Sequence, residues 1–214
     1  MTTNNQDIIN FKEIRVQKQL QSDHAIQRFY DEYLFFVNRY TNIREKVRAS
    51  HLFRERMGVS HDAELSAQME DLFLQWFAFD YVTIQGQTLF QQFLREQVSK
   101  QHASFLIQGA LFLTSVLEPI VVSKVPNSFF LKGQIPLTNK QAIIKDVRGR
   151  FIDIQLGQAV WCRKIKSIGY DVLIGSFFVQ DAKIIEQLHH SFDKKSKMTW
   201  RAFLKNYAID YCLR

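Results

Sequence analysis

Cysteine is nearly missing from this chain of 214 residues, where Cys162 and Cys212 are the whole complement. Two thiols without a Cys-x-x-Cys spacing exclude a disulfide scaffold and supply no zinc or redox motif. Cys162 follows Trp161 in an apolar run and reads as a small buried hydrophobe. Long apolar runs are missing too. No stretch nears the about 18 residues of a membrane span. The segment from Met1 to Asp7 lacks the basic and apolar regions of a secretory leader. The expectation is a soluble, cytoplasmic protein with no membrane partner.

Catalytic signatures are equally scarce. The turn Gly86-Gln87-Thr88 lacks the longer glycine frame and the lysine that hold a phosphate, so it reads as the start of a helix. His61 and Glu64 would share a face of a helix begun at Ser60, but no further ligands follow at a recognisable spacing, and the neighbours His189 and His190 point apart. No metal, cofactor or catalytic residue is assigned. Asp146, Asp153 and Asp171 are the carboxylates a metal-dependent hydrolase would have to bring together. Capping of turns is the simpler use of aspartates at strand ends.

What the chain has in abundance is phenylalanine, with 19 copies. Such rings bury large areas, so a substantial core needs no covalent staples. Five rings fall between Asp71 and Tyr81, in Asp-Leu-Phe-Leu-Gln-Trp-Phe-Ala-Phe-Asp-Tyr. Leu72, Phe73, Trp76 and Phe77 are spaced three and four apart, so the segment predicts the last turns of a helix begun near Ser60. Phe79, Asp80 and Tyr81 form its exit, with Asp80 expected to hold backbone amides near the Gly86–Thr88 turn. Ile26 to Tyr40 shows the same period with Ser22 or Asp23 as N-cap, and Ile43 to Met57 continues it up to Gly58. Further helices are expected from Thr88 and from about His102.

After Leu117-Glu118-Pro119 the period changes. Short β-rich runs at 120–122, 129–131, 142–144, 151–154, 159–162 and 171–174 alternate with breaks at Pro126-Asn127, Gly133, Asn139, Arg148-Gly149, Gly157 and Ile168-Gly169. Helices return after Asp181 and Thr199. The expected fold is α+β: a flexible segment at 1–20, a helical domain at 21–118, a small curved antiparallel sheet or barrel at 119–180, and C-terminal helices at 181–214.

The Trp76-Phe77-Ala78-Phe79-Asp80 segment, followed by Gly86-Gln87-Thr88-Leu89 and Phe93-Leu94, resembles a pattern in poorly characterised bacterial proteins. Some of these carry a SecA-type C-terminal zinc motif. The likeness extends from Asp62 to Val179 and implies a helical domain with a β module, without a catalytic role to transfer. Gln87 stands where that group commonly has lysine, and the zinc cysteines are missing here.

Charge is divided unevenly. Up to Glu118 there are 12 Lys+Arg and 14 Asp+Glu, a net −2; from Pro119 on there are 16 and 7, a net +9. Clustered cations release counterions from a polyanion, whereas solvated faces that keep the protein soluble produce the same composition. The candidate contacts are Lys145, Arg148, Arg150, Arg163, Lys164, Lys166, Lys194, Lys195, Lys197, Arg201 and Lys205, with Phe151, Trp161 and Tyr170 read as core rings or stacking faces. Trp76, Phe77, Phe79, Asp80, Gly86 and Thr88 are expected to be structural. The resulting expectation is a non-catalytic binding or adaptor protein with nucleic acid as the leading ligand. Recognition of a protein partner or self-association is the alternative, and the hydrolase is a third.

Overall fold

The computed structural model describes residues 11–97, 103–195 and 197–213. The first helix, α1 (Phe11–Tyr40), runs unbroken for 30 residues, about 45 Å at about 1.5 Å per residue. The expected boundary at residue 20 falls inside it: 11–20 are its first turns, and 1–10 lie outside the described residues. Ser22 and Asp23 therefore sit in mid-helix and cap nothing. Of the expected stripe, Ile26, Phe29, Tyr30, Tyr33, Phe36 and Val37 are buried, and Tyr40 at its end is exposed.

Asn42 opens α2 (Ile43–Met57) by accepting the Arg44 amide at 2.9 Å, and Gly58 closes it. The aromatic helix α3 (Ala67–Phe79) starts at Ser66 instead of Ser60, because the Ser66 hydroxyl accepts the Met69 amide. Reciprocal bonds open α4 (Leu89–Gln97): the Thr88 amide donates to Gln91 Oε1 at 2.8 Å and the Gln91 amide to Thr88 Oγ1 at 3.2 Å. The next helix is α5 (Ala103–Thr114), and its expected start at His102 lies outside the described residues.

Five strands follow: β1 (Leu117–Asn127), β2 (Phe130–Gln134), β3 (Gln141–Lys145), β4 (Ala159–Lys166) and β5 (Asp171–Gln180). Two helices, α6 (Ile184–Asp193) and α7 (Trp200–Tyr207), and a 3₁₀ turn at Ala208–Asp210 complete the described chain. The strands close in the order β1-β2-β3-β5-β4. Here the sheet departs from the antiparallel expectation: β3 runs parallel to β5, through Ile144 opposite Asp171 and Lys145 opposite Val172. Two other strand-level expectations change. Residues 151–154 form no strand; Phe151 turns its ring into the barrel while its amide donates to the Ser128 carbonyl. Gly133 is no break but a β2 residue, and a side chain there would lie 2.4 Å from the Val121 carbonyl oxygen.

Alternation on the strands produces two cores. Ile120, Val122, Leu131, Ile144, Val160, Cys162 and Leu173 fill the barrel. Leu117, Ala159, Trp161, Ile165, Val172, Ile174 and Phe178 point outward into the larger core shared with the helices. Strand β4 is thus buried on both faces. Burying such side chains contributes about 1.5–3 kcal/mol each, so helices and barrel are joined by one apolar interior. At the seam, β5 bulges at Gly175-Ser176. Gly175 has φ +71°, and an added Cβ would meet Tyr30 and Gln75 at 3.0 and 3.1 Å. Its bare backbone lets α1 and α3 approach the sheet.

Trp76, Phe77 and Phe79 are buried as expected, with the Phe79 ring 5.1 Å from Tyr33 and 5.7 Å from Phe90. Asp80 takes another role than expected. The Gly86 turn closes on its own groups, the Thr83 amide donating to the Gln87 carbonyl and the Gly86 amide to the Thr83 carbonyl, both at 2.9 Å. Asp80 instead receives Arg163 Nη2 at 2.5 Å, in a pair whose side chains are 2% and 1% exposed. Burial pushes the Asp80 carboxyl pKa up against the pull of Arg163. Removing one partner strands the other charge, so Asp80→Ala is expected to destabilise the protein by about 3–5 kcal/mol, whereas Asp80→Leu with Arg163→Met restores most of the loss. Urea denaturation of the single and double variants measures both; a single variant as stable as the parent would refute the pair's role.

Candidate functional site

The cations singled out from the sequence separate into two groups. Five are consumed inside the molecule. Arg163 holds Asp80 and donates to the Ser115 carbonyl at 2.9 Å, its guanidinium 4.5 Å from the Phe79 ring. Lys164 pairs with Glu118, which also accepts Trp200 Nε1 at 3.2 Å. Lys145 reaches Asp23 at 2.9 Å and the Tyr170 hydroxyl at 3.2 Å. Arg150 grips Asp146 at 2.9 Å and donates to the Gly175 carbonyl at 2.8 Å. Lys205 donates to the Leu113 carbonyl at 3.0 Å, and burial lowers its pKa. Arg148, Lys166, Lys194, Lys195, Lys197 and Arg201 are exposed, Lys166 beside Asp171 and Lys195 over the Tyr207 ring.

These eleven do not form one surface. Lys164, Lys166 and Arg201 share a cleft of 570 Å³ with Trp200, but Glu118 and Asp171 line it as well and offset the two lysines. Phe151 and Trp161 are core rings, and Tyr170 is occupied with Asp23, donating to it at 2.7 Å. The three aspartates of the hydrolase reading have separate duties. Asp146 accepts the Arg148 and Arg150 amides and the Arg150 side chain, Asp171 faces Lys166, and Asp153 is exposed in a left-handed turn at φ +58°. Among the described residues no three His, Cys, Asp or Glu side chains lie close enough to hold a metal ion.

A different set converges. Helices cover β4, β5 and the start of β1, leaving the outer face of β1, β2 and β3 to solvent. On it Lys124 pairs across the strands with Lys132, Lys132 with Ile143, Gln134 with Gln141, and Phe130 with Lys145. Lys124, Lys132, Gln141 and Ile143 are exposed, as is Lys140 just before β3. From Pro119 to Lys145, 27 residues carry four lysines and no carboxylate. Like charges facing each other across strands cost stability, and an anion laid over the Lys124–Lys132 pair removes that cost.

Lys124, Lys132 and Lys140 were not among the sequence candidates. Their signal is a gap in the acidic residues, which a search for clusters of lysine and arginine passes over. The alternation of buried Leu131 and Gly133 with exposed Lys132 would have placed the lysine outward. No protein-family model matches this chain, and neither a curated protein nor a solved structure is significantly similar to it. Among the described residues no helix is long and apolar enough to cross a membrane.

Two carboxylates tie this region to its support, and their titration is measurable. Burial raises the Asp23 pKa, but hydrogen bonds from Tyr170, Lys145 and Gln19 outweigh it and leave the pKa below the usual 3.8. For Asp146, burial is likewise outweighed by the Arg150 side chain and the Arg150 and Arg148 amides. Both groups therefore contribute stability that is complete above about pH 3.8 and lost as the pH falls through their lower folded values. Denaturation midpoints between about pH 2 and pH 6 should fall on the acid side, with a shallower fall in Asp146→Asn; equal acid limbs would refute the assignment.

Proposed function

We propose that this is a non-catalytic binding protein whose ligand is a single-stranded nucleic acid lying across the exposed face of β1, β2 and β3. The observation that carries this reading is the coincidence of an uncovered sheet face, with Lys124, Lys132 and Lys140 exposed on or beside it, and a 27-residue run free of carboxylates. Lysines on such a face neutralise phosphates and release their counterions. Glutamines 134 and 141, paired on the same face, add hydrogen-bonding groups without charge. One class of five-stranded Greek-key barrel binds oligonucleotides through the face of strands 2 and 3, the same strands left uncovered here. That likeness is one of architecture; the charge distribution supplies the functional argument.

A second reading, self-association, rests on Phe35, Tyr40, Ile43 and Val47, which are 59%, 63%, 69% and 49% exposed on α1 and α2. Sedimentation over a concentration series tests it. Association weakened by Val47→Glu supports it, and a strict monomer removes it.

For the nucleic-acid reading, fluorescence anisotropy with a labelled oligonucleotide should show binding that declines steeply with salt. Lys124→Ala with Lys132→Ala is expected to reduce the slope of log K against log salt by about 2. Lys194→Ala with Lys197→Ala, far along the chain, should leave it unchanged. Equal effects from the two pairs would refute the assignment of the face.

A further inference from the structure

Between α1 and the β1–β2 turn lies a cleft of 660 Å³ lined by Leu20, Asp23, His24, Phe129, Lys145 and Val147, among others. Its rim carries an aromatic ring held in place from behind. The Phe129 amide donates to Asn127 Oδ1 at 3.0 Å and its carbonyl accepts the Asp146 amide at 2.9 Å. Asp146 is itself fixed by Arg150. The ring lies against Gly149, where φ is +66° and an added Cβ would stand 3.0 Å from two ring carbons. Phe129 nevertheless remains 46% exposed. A single exposed apolar side chain is ordinary; one whose backbone and one contact surface are fixed at the mouth of a cleft is a prepared platform.

The floor is polar. Asp23 accepts from Gln19, Ser167, Lys145 and Tyr170 and so has little capacity left. Lys145 spends two of its donors on Asp23 and Tyr170, and an ammonium has three. The third N–H is available to an acceptor entering the cleft. Lys145 also stands beside Phe130 in the β2–β3 register, two pairs from Lys132 and Ile143, and so on the same face as both. The cleft therefore continues the lysine-bearing face.

We propose that this cleft receives one unstacked nucleobase, which stacks on Phe129 and accepts a hydrogen bond from Lys145 through a ring nitrogen or carbonyl oxygen. The proposal rests on the reading of the β1–β2–β3 face given above and adds the part of the ligand that the lysines do not contact. Its volume lies within the range of small-ligand pockets. A base inside a duplex cannot enter it without leaving the stack, so single strands are favoured.

Anisotropy with an oligothymidylate and with an abasic oligomer of equal length separates the two ideas. Phe129→Leu, which keeps an apolar side chain, is expected to weaken oligothymidylate binding about 5–150-fold and to leave the abasic oligomer and the salt slope unchanged. Phe129→Tyr should retain the parental affinity. Equal weakening of both oligomers, or of neither, overturns the base cleft. If at the same time Lys124→Ala with Lys132→Ala still lowers the salt slope, the face stands without the cleft. If the parent binds neither oligomer at low salt, both fall.

Discussion

The ion pair between Asp80 and Arg163 is the constraint on which the arrangement turns. Asp80 ends the aromatic helix and Arg163 lies on β4, so one contact spans 83 positions of sequence and joins the helices to the barrel. Both side chains are removed from water, and that is costly unless each charge finds the other. The cost makes the geometry selective. A shift of α3 against β4 separates the charges within an apolar interior, and the Phe79 ring beside the guanidinium would lose its cation as well. Apolar packing around the pair contributes most of the cohesion, but packing tolerates sliding better than a buried charge does.

The same economy governs the other cations near the seam. Arg150 is held between Asp146 and the Gly175 carbonyl, and Lys145 between Asp23 and Tyr170. Each links the barrel's edge to a helix or a turn. The basic second half is thus divided: Arg163, Lys164, Arg150, Lys145 and Lys205 act as internal connectors, and Lys124, Lys132 and Lys140 on and beside the uncovered strands stand clear of neutralising acids. Net charge by itself does not separate these uses. Position relative to the shared core does.

Much of the architecture was legible because it follows from local chemistry. The Ile26–Val37 stripe, the Thr88–Gln91 capping box, the Gly58 stop and the Thr199 cap are all contained within a few residues. What could not be read depends on distant partners. Ser22 and Asp23 have the form of N-caps, yet α1 passes through them because Asp23 is satisfied by Lys145, Tyr170 and Ser167 from the barrel. The 151–154 run is apolar enough for a strand, but Phe151 alone is drawn into the barrel, and Ile152 is left 65% exposed. Asp80 had an acceptable local explanation in the amides of the Gly86–Thr88 turn, and its partner instead stands on β4.

The candidate site was harder still, since its most informative property is an absence. Lysine is common enough that Lys124, Lys132 and Lys140 form no cluster in sequence. Strand pairing places Lys124 opposite Lys132, and the helices cover the other side of the barrel. A surface that served solubility alone would gain from interspersed acids, which would relieve repulsion between paired lysines. Their exclusion over 27 residues, next to internal cations that are each given a carboxylate or carbonyl, favours a surface kept for an external anion. Phe129 gives that surface a direction, because it lies where the lysine-bearing strands meet the cleft beside α1.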